Sequence, residues 1–307
     1  MAPGPGEGDT SERGRPTTPE APDPPAPADP ARAPGGTAPP RPIHARRPEP
    51  EHAECHPTWC GAHVRSGAGP VVTEGASMNS LTDPRVADVI ARLHQEAEAA
   101  DQPVLEDRPG GAMADEDLIR RTLEEEARDY RSLYHRYADN YFSVSPTFGQ
   151  FLYVCARTTR SRLVIEYGTS FGVSTLYLAA ALRDNGAGHL VTTELEPAKA
   201  ARAQENLAEA GLADLVDVRV GDALDTLRAE PAEPVDLLLL DGAFSLYLPV
   251  LRLVEPYLRP GALVVAENAI EAVSDYRDHV RAPHNGYLTL TVPFDETRGN
   301  ELSLRTG

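Results

Sequence analysis

The 307-residue chain is poor in features that mark secreted and membrane proteins. It has three cysteines, too few for the disulfide framework of a small secreted domain, so we expect a reducing, cytoplasmic setting. Its apolar runs are short, as in residues 237–240, and too short to cross a bilayer. Residues 1–10 carry neither a basic start nor an apolar stretch, so we expect no secretory signal.

Positive charge is also scarce. The 29 Lys and Arg side chains face 47 Asp and Glu, which leaves a formal net charge of −18. This balance disfavours nucleic acid or an anionic membrane surface as a partner, because both are polyanions. Lys199 is the sole lysine, so any mechanism that needs a lysine has a single candidate.

Residues 1–77 differ in composition from the rest and hold 17 of the 29 prolines. Such a segment buries too little apolar surface to offset its ordering entropy, so we expect a disordered, proline-rich tail. A chance group of ligands is a better interpretation than a zinc site for its Cys/His cluster, because no core surrounds it. The cluster comprises His52, Cys55, His56, Cys60 and His63. The segment that begins at Met78 resembles the N-terminus of a protein, so we expect one domain over residues 78–307.

That domain begins with a predicted helical lead-in, followed by alternating strands and helices. Apolar spacing after Asp83 predicts one helix, residues 115–137 a second, and the Ser145-Pro146 cap a third. Near-continuous apolar strands alternating with helices indicate a parallel sheet covered on both faces. The predicted strands are 163–165, 189–193, 216–220, 235–240 and 262–266, with a closing pair at 287–292 and 302–304; the helices between them are 174–182, 197–210, 223–229, 248–258 and 271–281.

Ligands bind at the carboxyl ends of such strands, so the residues there are candidates for a site. After the first strand, Gly168 and Gly172 let the backbone approach a ligand, although a tight turn alone would also need glycine. Their spacing from Glu166 differs from the Gly-x-Gly-x-x-Gly of dinucleotide enzymes. Glu194 ends the second strand, where an acidic side chain suits a ribose diol. Together they indicate a nucleoside-binding site.

In this order the motifs resemble class I S-adenosylmethionine (SAM)-dependent methyltransferases, specifically the small-molecule O-methyltransferases of the catechol and caffeoyl-CoA type. The resemblance covers about residues 78–307 and implies a Rossmann-like, seven-stranded, doubly wound sheet whose last strand is antiparallel. It also implies SAM as the cofactor, with Glu194 on the ribose and Asp241 beside the sulfonium. The other implied contacts are Val144, Glu166, Gly168, Gly172 and Ser174 toward the methionine end, with Asp222 and Ala223 at the adenine.

The resemblance further implies a divalent cation, such as Mg²⁺, on Asp241, Glu267 and Asn268. Oxygen ligands suit a hard cation, although Asp241 is useful to SAM alone and Asn268 is a possible helix cap. The family lysine that supplies the base is Phe244 here. We therefore expect turnover to rely on the metal and Asp241, with His284, in a turn-like loop, as an optional assistant.

The favoured function is methyl transfer to a hydroxyl of a small, aromatic metabolite, with Phe142, Phe244 and Tyr247 as walls of the substrate site. One alternative is a metal-independent N- or O-methyltransferase. Another is a SAM-binding protein that has lost methyl transfer and serves as a scaffold or a non-methylating catalyst. A nicotinamide enzyme is disfavoured by the glycine spacing. We expect no nucleic-acid partner, and the lead-in helices suit either the substrate mouth or a homodimer face.

Overall fold

The computed structural model describes residues 79–106, 116–269, 274–295 and 298–307, all within a unit that spans residues 69–307. The predicted tail and its Cys/His cluster lie outside the described residues. The helices are α1 (Pro84–Glu106), α2 (Glu116–His135), α3 (Pro146–Thr158), α4 (Val173–Asn185), α5 (Pro197–Glu209), α6 (Ala223–Thr226), α7 (Tyr247–Val254) and α8 (Ser274–Arg281). The strands are β1 (Leu163–Tyr167), β2 (His189–Glu194), β3 (Val216–Val220), β4 (Val235–Leu240), β5 (Leu258–Ala266), β6 (Tyr287–Asp295) and β7 (Arg298–Arg305).

The lead-in helices form where the sequence predicted them. α3 begins at the capping Ser145, whose hydroxyl accepts the Phe148 N–H at 3.2 Å. α2 is interrupted at Asp129, whose φ of −162° and ψ of 79° are not helical. α1 buries the apolar stripe that predicted it, which comprises Val86, Val89, Ile90 and Leu93.

All of the predicted strands join one sheet in the order β3-β2-β1-β4-β5-β7-β6. β1 to β5 run parallel, and β7 is antiparallel to both β5 and β6. This confirms the expected Rossmann-like, doubly wound sheet with an antiparallel last strand. The strand order turns at β1, with β2 on one side and β4 on the other, and this switch point leaves a crevice at the carboxyl ends.

The core lies on both faces of the sheet, as the continuous apolar strands indicate. β4 shows this most clearly, because residues 237–240 are all leucine and all fully buried. Leu237 and Leu239 pack into the cluster with α1, α3 and α4, whereas Leu238 and Leu240 pack with α7 and α8. Burying each of these side chains contributes roughly 1.5–3 kcal/mol, so the central strands hold the cavity edge firmly in place.

The structure differs from the predicted boundaries mainly at the ends of elements. α6 ends at Thr226 and does not extend to the predicted residue 229. The Thr226 carbonyl accepts a hydrogen bond from the Arg219 guanidinium at 2.9 Å, so this terminal carbonyl has a partner without a further helical turn. β5 begins at Leu258, earlier than predicted, because Pro260 sits where the register with β4 shifts and a proline is tolerated there. Within the described ranges, the structure has no helix with the length and apolarity that crossing a membrane requires.

Candidate functional site

A cavity of about 320 Å³ opens at the carboxyl ends of β1, β2, β4 and β5, at the switch point of the sheet. This volume lies at the lower end of the range for small-molecule sites. The loops after these strands form its floor, and α2 together with residues 141–144 forms the opposite side. The cavity brings together Val144, Gly168, Ser174, Glu194, Asp222, Ala223, Asp241, Glu267 and Asn268 of the residues that the sequence predicted.

Gly168 allows the loop after β1 to lie against the end of β4. Its φ is +104°, and a Cβ there would stand 2.0 Å from the carbonyl oxygen of Asp241. No other residue fits without moving backbone, so the need for glycine is steric as well as conformational. Gly172 has φ +88° and begins α4, where a Cβ would meet Ala203 at 3.4 Å. It turns the chain into the helix and is not one of the described lining residues.

Glu166 does not reach the cavity, contrary to the implied contact with SAM. Its carboxylate is fully buried and accepts three hydroxyl hydrogen bonds, at 2.6 Å from Ser174, 2.6 Å from Thr175 and 2.7 Å from Thr192. Burial raises its pKa to about 6, against the opposing effect of these donors. Glu166 therefore acts inside the core, where it orients Ser174, the neighbour that does line the cavity.

Glu194 presents a carboxylate whose oxygens are each held by one backbone donor. The Ser170 N–H reaches Oε2 at 2.7 Å, and the Glu196 N–H reaches Oε1 at 2.9 Å. Each oxygen keeps lone pairs that can accept a further hydrogen bond. Burial raises the pKa of Glu194, while the backbone donors and the nearby Lys199 oppose that rise. This geometry suits two adjacent hydroxyls, as in a ribose diol.

Asp222 lies at another part of the cavity, where α2 passes over it. Its Oδ1 accepts the Leu224 N–H at 2.9 Å and caps α6. Its Oδ2 accepts the Tyr130 hydroxyl and the Arg131 guanidinium, both from α2. Burial opposes ionisation of Asp222, but these donors and the charge of Arg131 outweigh it and hold its pKa below the usual range. The carboxylate is therefore preorganised as a hydrogen-bond acceptor.

Three residues with oxygen-bearing side chains, the oxygen trio of Asp241, Glu267 and Asn268, follow the ends of β4 and β5 and line the cavity. Leu240 pairs with Ala266 in the sheet, so Asp241 and Glu267 follow at the same level on neighbouring strands. Asn268 has φ +52° and donates its backbone N–H to Asn300 at 2.9 Å. Its side-chain oxygen is buried without a hydrogen-bond partner among the described residues. A donor set of oxygens with one unsatisfied member fits a hard divalent cation.

Comparison with known proteins identifies this arrangement. A family model described as a methyltransferase domain matches residues 165–269, from β1 to just beyond Asn268. The part of the chain that forms the cavity is thus similar to a methyltransferase domain. The chain is similar to a catechol O-methyltransferase of Niastella koreensis, at 39% identity over 131 residues, which are 42% of this chain and 58% of that protein. It is also similar to a catechol O-methyltransferase of Mycobacterium tuberculosis, at 37% identity over 145 residues, which are 46% of this chain and 65% of that protein.

The chain thus matches less than two thirds of the length of these curated relatives. A solved structure adds a likeness over most of the domain. It is an O-methyltransferase from Streptomyces achromogenes involved in tomaymycin synthesis, in complex with SAM. The likeness has a TM-score of 0.51 and 28% identity, and it covers 69% of this chain and 99% of that one.

The cavity has aromatic walls, though not the full predicted set. Phe142 and Phe244 line the cavity. Phe142 is held over it by Asp101, whose carboxylate accepts the Phe142 N–H at 2.7 Å and the Tyr141 N–H at 2.8 Å. Tyr247 is fully buried and donates to the Glu267 carbonyl at 2.7 Å. Tyr247 therefore holds the backbone of Glu267 and does not line the cavity.

The structure does not bring His284 to the cavity, so the expectation that it assists there does not hold. β6 runs parallel to β5, because both are antiparallel to β7. Tyr287 at the start of β6 pairs with Arg305, which lies beyond the level of Leu263 in β5. The turn Pro283–Asn285 therefore lies at the amino ends of the parallel strands, and the exposed His284 is at the edge opposite the cavity.

α2 contributes polar residues to the site that the sequence pattern did not indicate. Glu126 is buried with 1% of its surface exposed, and Tyr134 lines the cavity. In an uninterrupted helix the spacing 126, 130 and 134 would place an acid and two tyrosines on one face, a signal that the apolar stripe concealed. The helix breaks at Asp129, and Tyr134 still donates its hydroxyl to Glu126 at 2.8 Å. Lys199, the sole lysine, lines the same cavity as Glu194, with its ammonium 5.5 Å from the centre of the Phe171 ring.

Proposed function

We propose that the protein transfers the methyl group of SAM to a hydroxyl of a small, aromatic molecule, assisted by a divalent cation at Asp241, Glu267 and Asn268. One observation carries this proposal. A single cavity is lined by the diol-type carboxylate of Glu194 and by the oxygen trio at the ends of β4 and β5. A nucleoside cofactor held at Glu194 would share this cavity with an acceptor held by Asp241, Glu267 and Asn268.

Methyl transfer from SAM needs little covalent participation by the protein. Bound SAM would supply the methyl group: an acceptor oxygen would attack the methyl carbon of the sulfonium, the carbon–sulfur bond would break, and the thioether product would keep the electron pair. The protein has to align the two reactants and exclude water, and alignment alone supplies a large part of many enzymatic rate enhancements. Glu194 and Ser174 would hold the cofactor, while Phe142 and Phe244 would enclose the acceptor.

Aromatic side chains support the choice of an aromatic acceptor. Besides Phe142 and Phe244, Tyr130, Tyr134 and Tyr137 line the same cavity. Flat rings stack favourably on such walls, and the modest cavity volume favours a small molecule. The similarity to proteins named as catechol O-methyltransferases supports the same acceptor class.

The unsatisfied side-chain oxygen of Asn268 supports a cation at the trio. A divalent ion bound there would lower the pKa of the acceptor hydroxyl and orient it. Glu267 holds its position through its backbone, since its N–H donates to Leu240 at 2.9 Å and its carbonyl accepts from Tyr247. The chain itself therefore keeps the trio in place.

The test is to incubate the protein with labelled SAM and a panel of phenols and catechols, with Mg²⁺ or with EDTA. We expect methylated product that depends on the metal, and a rise in melting temperature when Mg²⁺ is added. Asp241→Asn should abolish the metal-dependent rise, whereas Asp275→Asn on α8 serves as a matched control. Product formation that is unchanged by EDTA would identify a metal-independent relative. Tight SAM binding without any product would refute the proposed activity.

A further inference from the structure

Glu126 is a buried acid placed against the loop that follows β4. It lies on α2 with 1% of its surface exposed. One carboxylate oxygen, Oε2, accepts the Ser245 N–H at 2.8 Å, and the other, Oε1, accepts the Tyr134 hydroxyl at 2.8 Å. Ionisable side chains are seldom fully buried unless they are paired or functional. The hydrogen-bond partners of Glu126 therefore indicate its role.

Tyr134 connects this buried acid to the cavity. Its ring lines the cavity together with Phe244 and Asp241. Phe244, at the position where the resemblance implies a lysine base, directly precedes Ser245 in the chain. Glu126 thus reaches the same loop from the helix side, and its bond to the Tyr134 hydroxyl links it to a side chain that lines the cavity.

We propose that Tyr134 takes the proton of the acceptor hydroxyl during methyl transfer and passes its own proton to Glu126. The O–H bond of the acceptor breaks, and a new O–H bond forms on Tyr134 Oη. The original Tyr134 proton moves to Glu126 Oε1, which becomes a neutral carboxyl. The acceptor oxygen keeps the electron pair with which it attacks the methyl group. After product leaves, the proton returns through Tyr134 to solvent.

The surroundings of Glu126 favour this role. Burial raises its pKa, against hydrogen bonds from Ser245 and Tyr134, so the carboxylate is a stronger base than an exposed one. The other titratable groups that face the pair are Tyr167 on β1 and Asp241 at the end of β4, and both act on Tyr134 through charge. In this relay Tyr134 is the catalytic residue, and Glu126 is the positioning residue behind it.

The proposal rests on the proposed methyl transfer, and it competes with a structural role in which Glu126 only anchors residues 243–245. Glu126→Gln separates the two roles. Glutamine keeps an oxygen for the Ser245 N–H and an amide that can bond to Tyr134, but it cannot take a proton. Tyr134→Phe removes the relay from the other end and leaves the bond between Glu126 and Ser245 intact.

The experiment compares two acceptors in the full-length protein. Catechol must lose a proton, whereas 4-nitrocatechol is far more acidic and is largely ionised at pH 8. We expect either variant to lose about 100-fold or more in kcat on catechol and only a few-fold on 4-nitrocatechol. The KM for SAM should stay near the wild-type value. In the wild type, kcat on catechol should fall as pH drops through the raised pKa of Glu126, and Glu126→Gln should lack this fall.

Two control variants match the test variants in chemistry. Glu125→Gln changes the exposed neighbour that pairs with Arg136, and Tyr153→Phe removes a similar tyrosine–carboxylate bond, to Asp184 at 2.6 Å, away from the cavity. Both should retain wild-type kcat. Equal losses on the two acceptors, or no loss on catechol, would overturn the relay and leave the proposed function standing. A wild-type protein that methylates neither acceptor would overturn both.

Discussion

Replacing Glu166 by glutamine should change how stability depends on pH. Glu166 is fully buried beneath the loop after β1, and its pKa is raised from 4.5 to about 6, first by burial. The native state therefore holds the proton more tightly than the unfolded chain does. This contribution to stability is complete below pH 4.5 and is lost as the pH rises through about 6.

The size of the effect follows from the shift. A rise of about 1.5 units, from 4.5 to about 6, corresponds to about 2 kcal/mol of unfolding free energy over the whole range. About 1.3 kcal/mol of this falls between pH 5 and pH 8. Glutamine has nearly the same shape and does not titrate, so the variant should lack this loss. The stability difference, Glu166→Gln minus wild type, should therefore grow by about 1.3 kcal/mol from pH 5 to pH 8.

Urea unfolding followed by circular dichroism at several pH values measures this difference. Other titrating groups are shared by both proteins and cancel in the comparison. Glu124→Gln, at an exposed position of α2, controls for the loss of one carboxylate from the chain. A difference between Glu166→Gln and wild type that stays constant from pH 5 to pH 8 would refute the reasoning, because the burial of Glu166 would then carry no penalty.

Three further outcomes are expected. Glu194→Ala should weaken SAM binding at least about tenfold by calorimetry, because it removes charge-assisted acceptors worth roughly 1.5–3 kcal/mol each; unchanged affinity would remove the ribose assignment. Phe244→Lys should raise the rate on catechol and restore part of the activity that Glu126→Gln loses, since it supplies a base at the same loop. No gain in the wild type or in Glu126→Gln would argue against proton transfer as the step that limits the rate. We also propose that residues 78–307 form the methyltransferase domain and that residues 1–77 are dispensable. A chain that starts at Met78 should keep its melting temperature, and a fall above about 4 °C would point to a tail that contributes over 1 kcal/mol.

The strands and several of the residues that line the cavity follow from the amino-acid sequence alone, because local patterns encode them. Residues 216–220 and 235–240 were predicted with the bounds that the structure has. Glu194 and Gly168 lie at or just after the ends of strands whose carboxyl ends face one edge of a parallel sheet, so sequence position and place in the fold coincide. The Ser145 cap likewise sets the start of α3 through a contact between near neighbours.

Other assignments depended on contacts between distant segments. Glu166 and Ser174 are both in the loop motif, yet only the packing of Thr192 beneath the loop shows that the acid is inside and the serine faces the cavity. His284 lies in a turn that resembles an active-site loop. The antiparallel pairing of β7 with its two neighbours places that turn at the opposite edge of the sheet.

α2 has some features that the sequence determines and others that only the tertiary structure decides. The amino-acid sequence predicts its helical spacing and approximate bounds, because periodicity along a helix is a local property. The contact of Glu126 with Ser245 joins residues that are 119 positions apart, and that of Tyr130 with Asp222 joins residues 92 positions apart. No local pattern specifies such pairs. They arise when the folded sheet presents its cavity to the helix, and a buried carboxylate must then find its donors there.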